Sequence, residues 1–371
     1  MPKNARFAVQ IGAVDAEGAS DAQMYREAVG DARFAQTAGF DAVWMVEHHF
    51  SDYYPTPNPL MFLSHLAAAC PGLGLGTSVM VLPWYDPVRF AEDVAMLATL
   101  TTGELSIGMG RGTAKLEYDA MRVPMSEARE RFAECWAVTK LALEGHPFTF
   151  KGRHVKLDQP ITVRPVLTER KPQFFGAIGS PESAEIMGEL GLPPLSLSQF
   201  PDFMLVKILA RWRAKAVQCG HPTAVTLPIS TKCFIGDTDA DAREEARGHL
   251  ARFYKLQAEH YATDTTPWGD IGGYQQFARI FGNMKLMGDP AQIDPILDRS
   301  LVGSPETVAQ RITELRAIGF DYFLVSNATA GVSREARHRM MRRFAAEVMP
   351  IVRRTPVPDA PAFAAPVRAA E

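Results

Sequence analysis

Apolar residues along this chain alternate between two rhythms. Short apolar runs rich in β-branched and aromatic residues, at residues 6–13, 41–46, 73–82, 104–110, 173–178, 193–198, 226–236 and 321–327, have the length and composition of buried strands. Between most of them lie longer stretches with helical spacing, at 20–39, 59–69, 87–100, 126–145, 181–191, 203–220, 239–259 and 305–319, with a last helix through 337–352. The first helix shows the signals most fully: Ser20 or Asp21 as N-cap, Met24, Ala28, Ala32 and Ala35 along one face, and Gly39 as C-cap. Residues 147–166 alternate as an antiparallel hairpin would. Strand followed by helix, about eight times, predicts a TIM (β/α)8 barrel with insertions, with a doubly wound open sheet as the competing arrangement.

The barrel is expected to occupy residues 1–355 as one domain, followed by a Pro/Ala-rich, disordered tail at 356–371. Residues 261–299 are irregular and carry Trp268 and Tyr274, the composition of an active-site loop or lid. With 47% hydrophobic residues and interspersed charges summing to −3, the chain has a large core and no polyanion-binding surface, so a small-molecule ligand is expected and nucleic acid is not. Four scattered cysteines, no apolar run of membrane-spanning length and no leader-like start lead us to expect a cytoplasmic protein without disulfides or a membrane span.

Three strand ends carry candidate chemistry. Glu47, His48 and His49 follow the second strand, where a TIM barrel places its active site; adjacent histidines on a continuing strand point to opposite sides, which favours acid–base or cofactor contact over a metal site. "GMGRGTA" (108–114) ends the fourth strand, but no acidic residue at a following strand completes a dinucleotide fingerprint. It leaves close backbone approach plus Arg111, suited to a phosphate or to a salt bridge with Glu117. "GSPES" (179–183) starts a helix with Ser180 as N-cap and Pro181 at the first helical position, an anion-binding arrangement. The similar "GSPET" at 303–307 shows that the phrase also serves simply to begin helices.

Taken as a set, "AGFDAVWMVEHHF", "LGLGTSVMVLPWYDPVRFAEDVAMLATLTTGELSIGMGRG", "RFAECWAVTK", "GSPESAEIMGELGLP" and "VGSPETVAQRI" resemble the bacterial luciferase-like, flavin-dependent monooxygenases, in family order through nearly the whole chain. The resemblance implies an oxygenase that takes reduced flavin mononucleotide (FMN) from a separate flavin reductase and uses O2 through a flavin peroxide. Its alternatives are a deazaflavin-dependent dehydrogenase or reductase and a catalytically silent flavin-binding subunit. His48 matches the assisting histidine. Arg111 with Gly112 and Thr113, and Gly179, Ser180 and Ser183, match the phosphate loops; Ser78 and Val79 match a pair whose cis peptide lies against the flavin ring; Glu47 and Tyr274 match further cofactor positions. His49, Trp84 and Trp268 are expected toward the substrate. Gly110 stands where the luciferases have a reactive cysteine, which implies an apolar or natural-product substrate rather than aldehyde-driven light emission. Helices at 59–69 and 87–99 match the family's dimer contact, so a homodimer is expected.

Overall fold

The computed structural model describes residues 4–14, 18–261, 266–271, 274–275 and 285–357. The strands are β1 (Arg6–Gln10), β2 (Ala42–Met45), β3 (Gly74–Val81), β4 (Leu105–Gly110), β5 (Phe148–Lys151), β6 (Lys156–Ile161), β7 (Gln173–Ala177), β8 (Pro194–Leu197), β9 (Pro228–Ile235), β10 (Leu301–Gly303) and β11 (Tyr322–Ser326). Parallel pairing runs β11-β1-β2-β3-β4-β7-β8, and β9 joins β8 to β11, which closes a ring of eight strands. The barrel reading therefore holds over the open sheet. Only the second half of β9, Cys233–Ile235, pairs with β10, outside the ring. As the alternation at 147–166 predicts, β5 and β6 form an antiparallel hairpin.

Helices α1 (Asp21–Ala38), α2 (Pro59–Ala69), α3 (Pro87–Leu100), α4 (Lys115–Ala120), α5 (Ala128–Leu143), α6 (Pro181–Glu189), α7 (Asp202–Gln218) and α8 (Asp239–His260) are followed by helices at Pro305–Ile318, Arg334–Arg343 and Met349–Arg354. Ser20 caps α1, accepting from the Gln23 N–H, and Gly39 ends it in the left-handed conformation at φ 88°. Asn58 and Asp86 likewise accept from the first turns of α2 and α3. Among the described residues, α4, β10 and a four-residue helix at Asp294–Leu297 escaped the sequence pattern, each too short to show a period. Of the expected tail, residues 358–371 lie outside the described residues. Within them, no helix is long and apolar enough to cross a membrane, and Cys70, Cys135, Cys219 and Cys233 are free thiols.

The barrel interior is filled by Ala8, Ala42, Trp44, Phe175, Leu195, Tyr322 and Leu324. Trp44 donates to the Tyr322 hydroxyl at 3.2 Å, which satisfies its buried N–H. The indole has room because β3 offers Gly76: a Cβ there would lie 2.4 Å from Trp44. Above this layer Gln10 donates to Ser78 Oγ and accepts from Ser230 Oγ at 3.0 Å, a polar floor beneath the barrel mouth.

Gly76→Ala is therefore expected to cost about 2 kcal/mol or more through overpacking. Gly248→Ala, on the exposed face of α8 with nothing within 4 Å of the added carbon, is expected to stabilise by about 0.5–1 kcal/mol. Urea denaturation of both variants checks the pair; equal effects would contradict the packing argument.

Candidate active site

The strands β2, β3, β4 and β7 are consecutive around the ring, so the loops singled out by sequence open side by side on the face at the C-terminal strand ends. The odd–even alternation past β2 sends Glu47 and His49 one way and His48 the other. Glu47 is 2% exposed. It accepts hydrogen bonds from the Val81 N–H (2.7 Å), the Tyr85 hydroxyl (2.8 Å) and the Trp84 indole (3.0 Å), with His49 Nε2 at 3.1 Å. These four contacts fasten β2 to the end of β3 and hold Trp84 and Tyr85 in place.

His48 faces a second buried carboxylate, Glu117 on α4. Glu117 Oε1 accepts from the His49 backbone N–H at 2.7 Å and lies 3.4 Å from His48 Nδ1 and 3.2 Å from His260 Nε2. His260 Nδ1 in turn lies 2.7 Å from Ser51 Oγ. The Arg111–Glu117 salt bridge weighed from sequence is replaced by this cluster. Burial alone would raise the Glu117 carboxyl, but donation from His260 and His48 outweighs it and holds it at about 2. Burial also pushes the His48 imidazole below its ordinary value, against the pull of Glu117. A carboxylate can only accept, so His48 carries its proton on Nδ1 and leaves Nε2 as a base. Two imidazoles and a carboxylate, one ligand atom from each lying within 4.8 Å of the others, are also the composition of a metal site, which sequence spacing did not reveal. Here the His49 N–H and the His48 ring donate to one Glu117 oxygen, with His260 Nε2 at ion-pair distance, 3.2 Å.

On β3 the Ser78–Val79 peptide bond is cis, as the resemblance implied. On β4, Gly110 packs closely on this pair: an added Cβ would lie 2.7 Å from Val79 Cγ2, so a larger residue would require Val79 to shift. Gly112 has φ 72° and its added Cβ would meet Val81 at 2.6 Å, which fits only glycine. The Arg111 carbonyl accepts from the Tyr118 hydroxyl, and the Gly112 carbonyl from the Tyr274 hydroxyl at 2.9 Å. The Arg111 guanidinium lies 4.9 Å from the centre of the Tyr274 ring, and the Thr113 side chain hydrogen-bonds Tyr261. Trp268 is buried with Tyr118, Met125, Ala128 and Tyr274 behind this loop. On the neighbouring β7 end, Ser180 and Ser183 form a capping box at the start of α6, and Ser183 Oγ also accepts from the Gly179 and Ser180 N–H groups. At the ends of the adjacent strands β4 and β7 a guanidinium, a left-handed glycine and a capped helix start thus stand side by side.

The Glu117 cluster has a consequence for acid stability. A carboxyl whose folded pKa lies below its unfolded one stabilises the protein above the unfolded value, and that contribution is lost as pH falls through the folded one. Between about pH 5 and pH 2 the wild type is expected to lose on the order of 3 kcal/mol from this group. The Glu117→Gln variant, less stable at pH 7, should lack that part of the decline. Urea unfolding across this range, followed by circular dichroism, checks it; parallel pH curves would refute it.

Comparison with known proteins fits this geometry. The profile of the Luciferase-like monooxygenase family matches residues 6–322. The oxygenase component of the flavin-dependent trigonelline monooxygenase of Acinetobacter baylyi is 23% identical over 88% of this chain and 90% of its own. A shorter match, to the uncharacterised protein y4vJ of Sinorhizobium fredii, is 34% identical, spanning 41% of this chain and less than half, 43%, of that protein. Among solved structures, the oxygenating constituent of 3,6-diketocamphane monooxygenase from Pseudomonas putida, in complex with FMN, superposes with a TM-score of 0.74 at 18% identity, covering 96% of this chain and all of that one. An F420-dependent secondary alcohol dehydrogenase superposes at 0.72 with 16% identity, over 94% of this chain and 99% of its own. With the family profile matched across most of the barrel, this chain belongs to the luciferase-like monooxygenases.

Proposed function

We propose that the protein is the oxygenase component of a two-component flavin monooxygenase, taking reduced FMN from a separate reductase and acting with O2 on a small organic substrate. The observation that carries the reading is the grouping of Arg111, the left-handed Gly112 and the start of α6 at the ends of the adjacent strands β4 and β7, next to the β3 end. The residues present fit FMN: Arg111, Gly112 and Thr113 with Gly179, Ser180 and Ser183 would hold its phosphate, and Ser78 and Val79 would lie under its ring. Gly112 lets this loop approach its neighbours closely, since an added Cβ would run into Val81 and Trp84. Tyr274 would act through the Arg111–Gly112 loop that it hydrogen-bonds. Bound reduced flavin supplies the two electrons with which O2 is split between substrate and water.

The chain's own residues handle protons and water. His48 Nε2, kept unprotonated by burial while Glu117 holds the proton of Nδ1, takes a proton from the substrate or returns one to the departing oxygen. Tyr53, Tyr54 and Tyr261 pack around the His48 ring, with centroids 4.8–6.2 Å away, and keep bulk water from it. Trp84, with its indole fixed by Glu47 and its ring 4.9 Å from Tyr118, walls the substrate side. A homodimer is supported by the exposed Met61 on α2 and Met96 and Leu100 on α3, apolar side chains on helices that pack against one another.

Anaerobic titration separates the readings. Reduced FMN is expected to bind and reduced deazaflavin not to; the reverse preference would move the protein to hydride transfer. His48→Ala should retain reduced-FMN affinity and lower product formation by about 10²–10⁴-fold, with the consumed O2 recovered as hydrogen peroxide. Unchanged product yield would remove His48 from the chemistry, and no turnover in the wild type with any organic substrate would favour the silent-subunit alternative.

A further inference from the structure

Lys232 has no part in the scheme above. It lies in β9 two residues beyond Ser230, whose hydroxyl points into the barrel to Gln10, so the strand's alternation turns Lys232 inward as well, one pleat nearer the mouth. It is 8% exposed. Its Nζ donates to the Tyr54 hydroxyl at 3.3 Å and sits 3.9 Å from the centre of the Phe253 ring. The Tyr54 hydroxyl spends its own proton on the Ala328 carbonyl at 2.5 Å. Among the described residues, no carboxylate lies within ion-pair distance of Lys232.

A buried ammonium has three N–H donors and one charge to satisfy, and here one tyrosine oxygen and an aromatic face meet only part of that demand. Burial without a counter-charge also pushes the ammonium down to about 7. A ligand anion is the missing partner. Tyr54 links this point to the proposed chemistry, because its ring stacks on that of His48 with centroids 6.2 Å apart.

We propose that Lys232 anchors the carboxylate of the substrate, so that the enzyme acts on an organic acid whose apolar body lies against Tyr54 and Phe253. A single point charge among aromatic rings suits a monoanion; the dianionic phosphate of the cofactor has its own guanidinium and helix end on the other side of the mouth. The inference deepens the proposed function and rests on the mouth of the barrel being the flavin and substrate site.

Calorimetric titration with benzoate and with its neutral counterpart benzamide tests it, on protein alone and on protein loaded with FMN. Wild type is expected to bind benzoate at least tenfold more tightly than benzamide. Lys232→Met and Lys232→Gln should lose that preference while benzamide affinity stays the same, which also shows that the variants are folded. Equal binding of the two probes by wild type, undiminished benzoate binding by both variants, or no benzoate binding in either state overturns the proposal. FMN affinity is read in the same titrations: Lys232-dependent benzoate binding without FMN binding would defeat the flavin reading and leave the anion site standing.

Discussion

Two buried carboxylates impose the order of the barrel mouth. An ionised carboxylate out of water is tolerated only when donors surround it, and each of these recruits its donors from distant parts of the chain. Glu47 gathers the end of β3 and the turn that follows, fixing Trp84 and Tyr85. Glu117 gathers the loop after β2 and the last turn of α8, fixing His48 and His260. Because His48 and His49 alternate across an extended backbone, one tripeptide serves both carboxylates. Removing either acid would leave several buried donors without an acceptor, which is why we assign these residues to positioning and reserve chemistry for His48.

The division between backbone and side chain follows from what each half of a flavin would need. At the β4 and β7 ends, where the proposal puts the phosphate, the main chain dominates: a left-handed glycine and a helix start, with tyrosine hydroxyls pinning the loop carbonyls and Arg111 supplying a charge. On the β2 side, where the proposal puts proton chemistry, side chains dominate and burial sets their ionisation. Gly110 marks the join. The Val79 side chain lies against it, so that an added Cβ would be 2.7 Å from Val79 Cγ2.

Much of this was legible in the sequence because it is local. Strand runs, N-caps such as Ser20, the glycine at 112 and the helix-starting "GSPES" each encode their structure within a few residues, and eight repeats of strand and helix predicted closure into a barrel. The clusters were not legible. Glu117 belongs to a helix of six residues, too short to show a period, and His260 ends a long helix where a basic residue is unremarkable. Their meeting with His48 joins positions 69 and 212 residues apart in the chain, which no spacing rule connects. The partners of Glu47 and His49 were not legible either, because position on a strand end does not say which way a side chain faces. One signal was present and unused: Lys232 stands inside the apolar run "PISTKCFI", where a cation must either pair or wait for a ligand.

Helix α8 joins these parts into one wall. Phe253, Gln257 and His260 are spaced four and three residues apart, which places them on a single helical face. Phe253 lies on the Lys232 ammonium, Gln257 donates to the Tyr53 hydroxyl at 2.6 Å, and His260 meets Glu117. The stripe thus runs from the proposed substrate anchor, past the tyrosines around His48, to the carboxylate that sets the His48 tautomer. A rigid helix carrying all three contacts fixes the distance between the group that would hold the substrate and the group that would move its proton. Reaction at one atom of a bound acid requires that fixed distance more than it requires either group alone, and the side chains that set it come from β9 and α8, outside the β4 and β7 ends proposed for the phosphate.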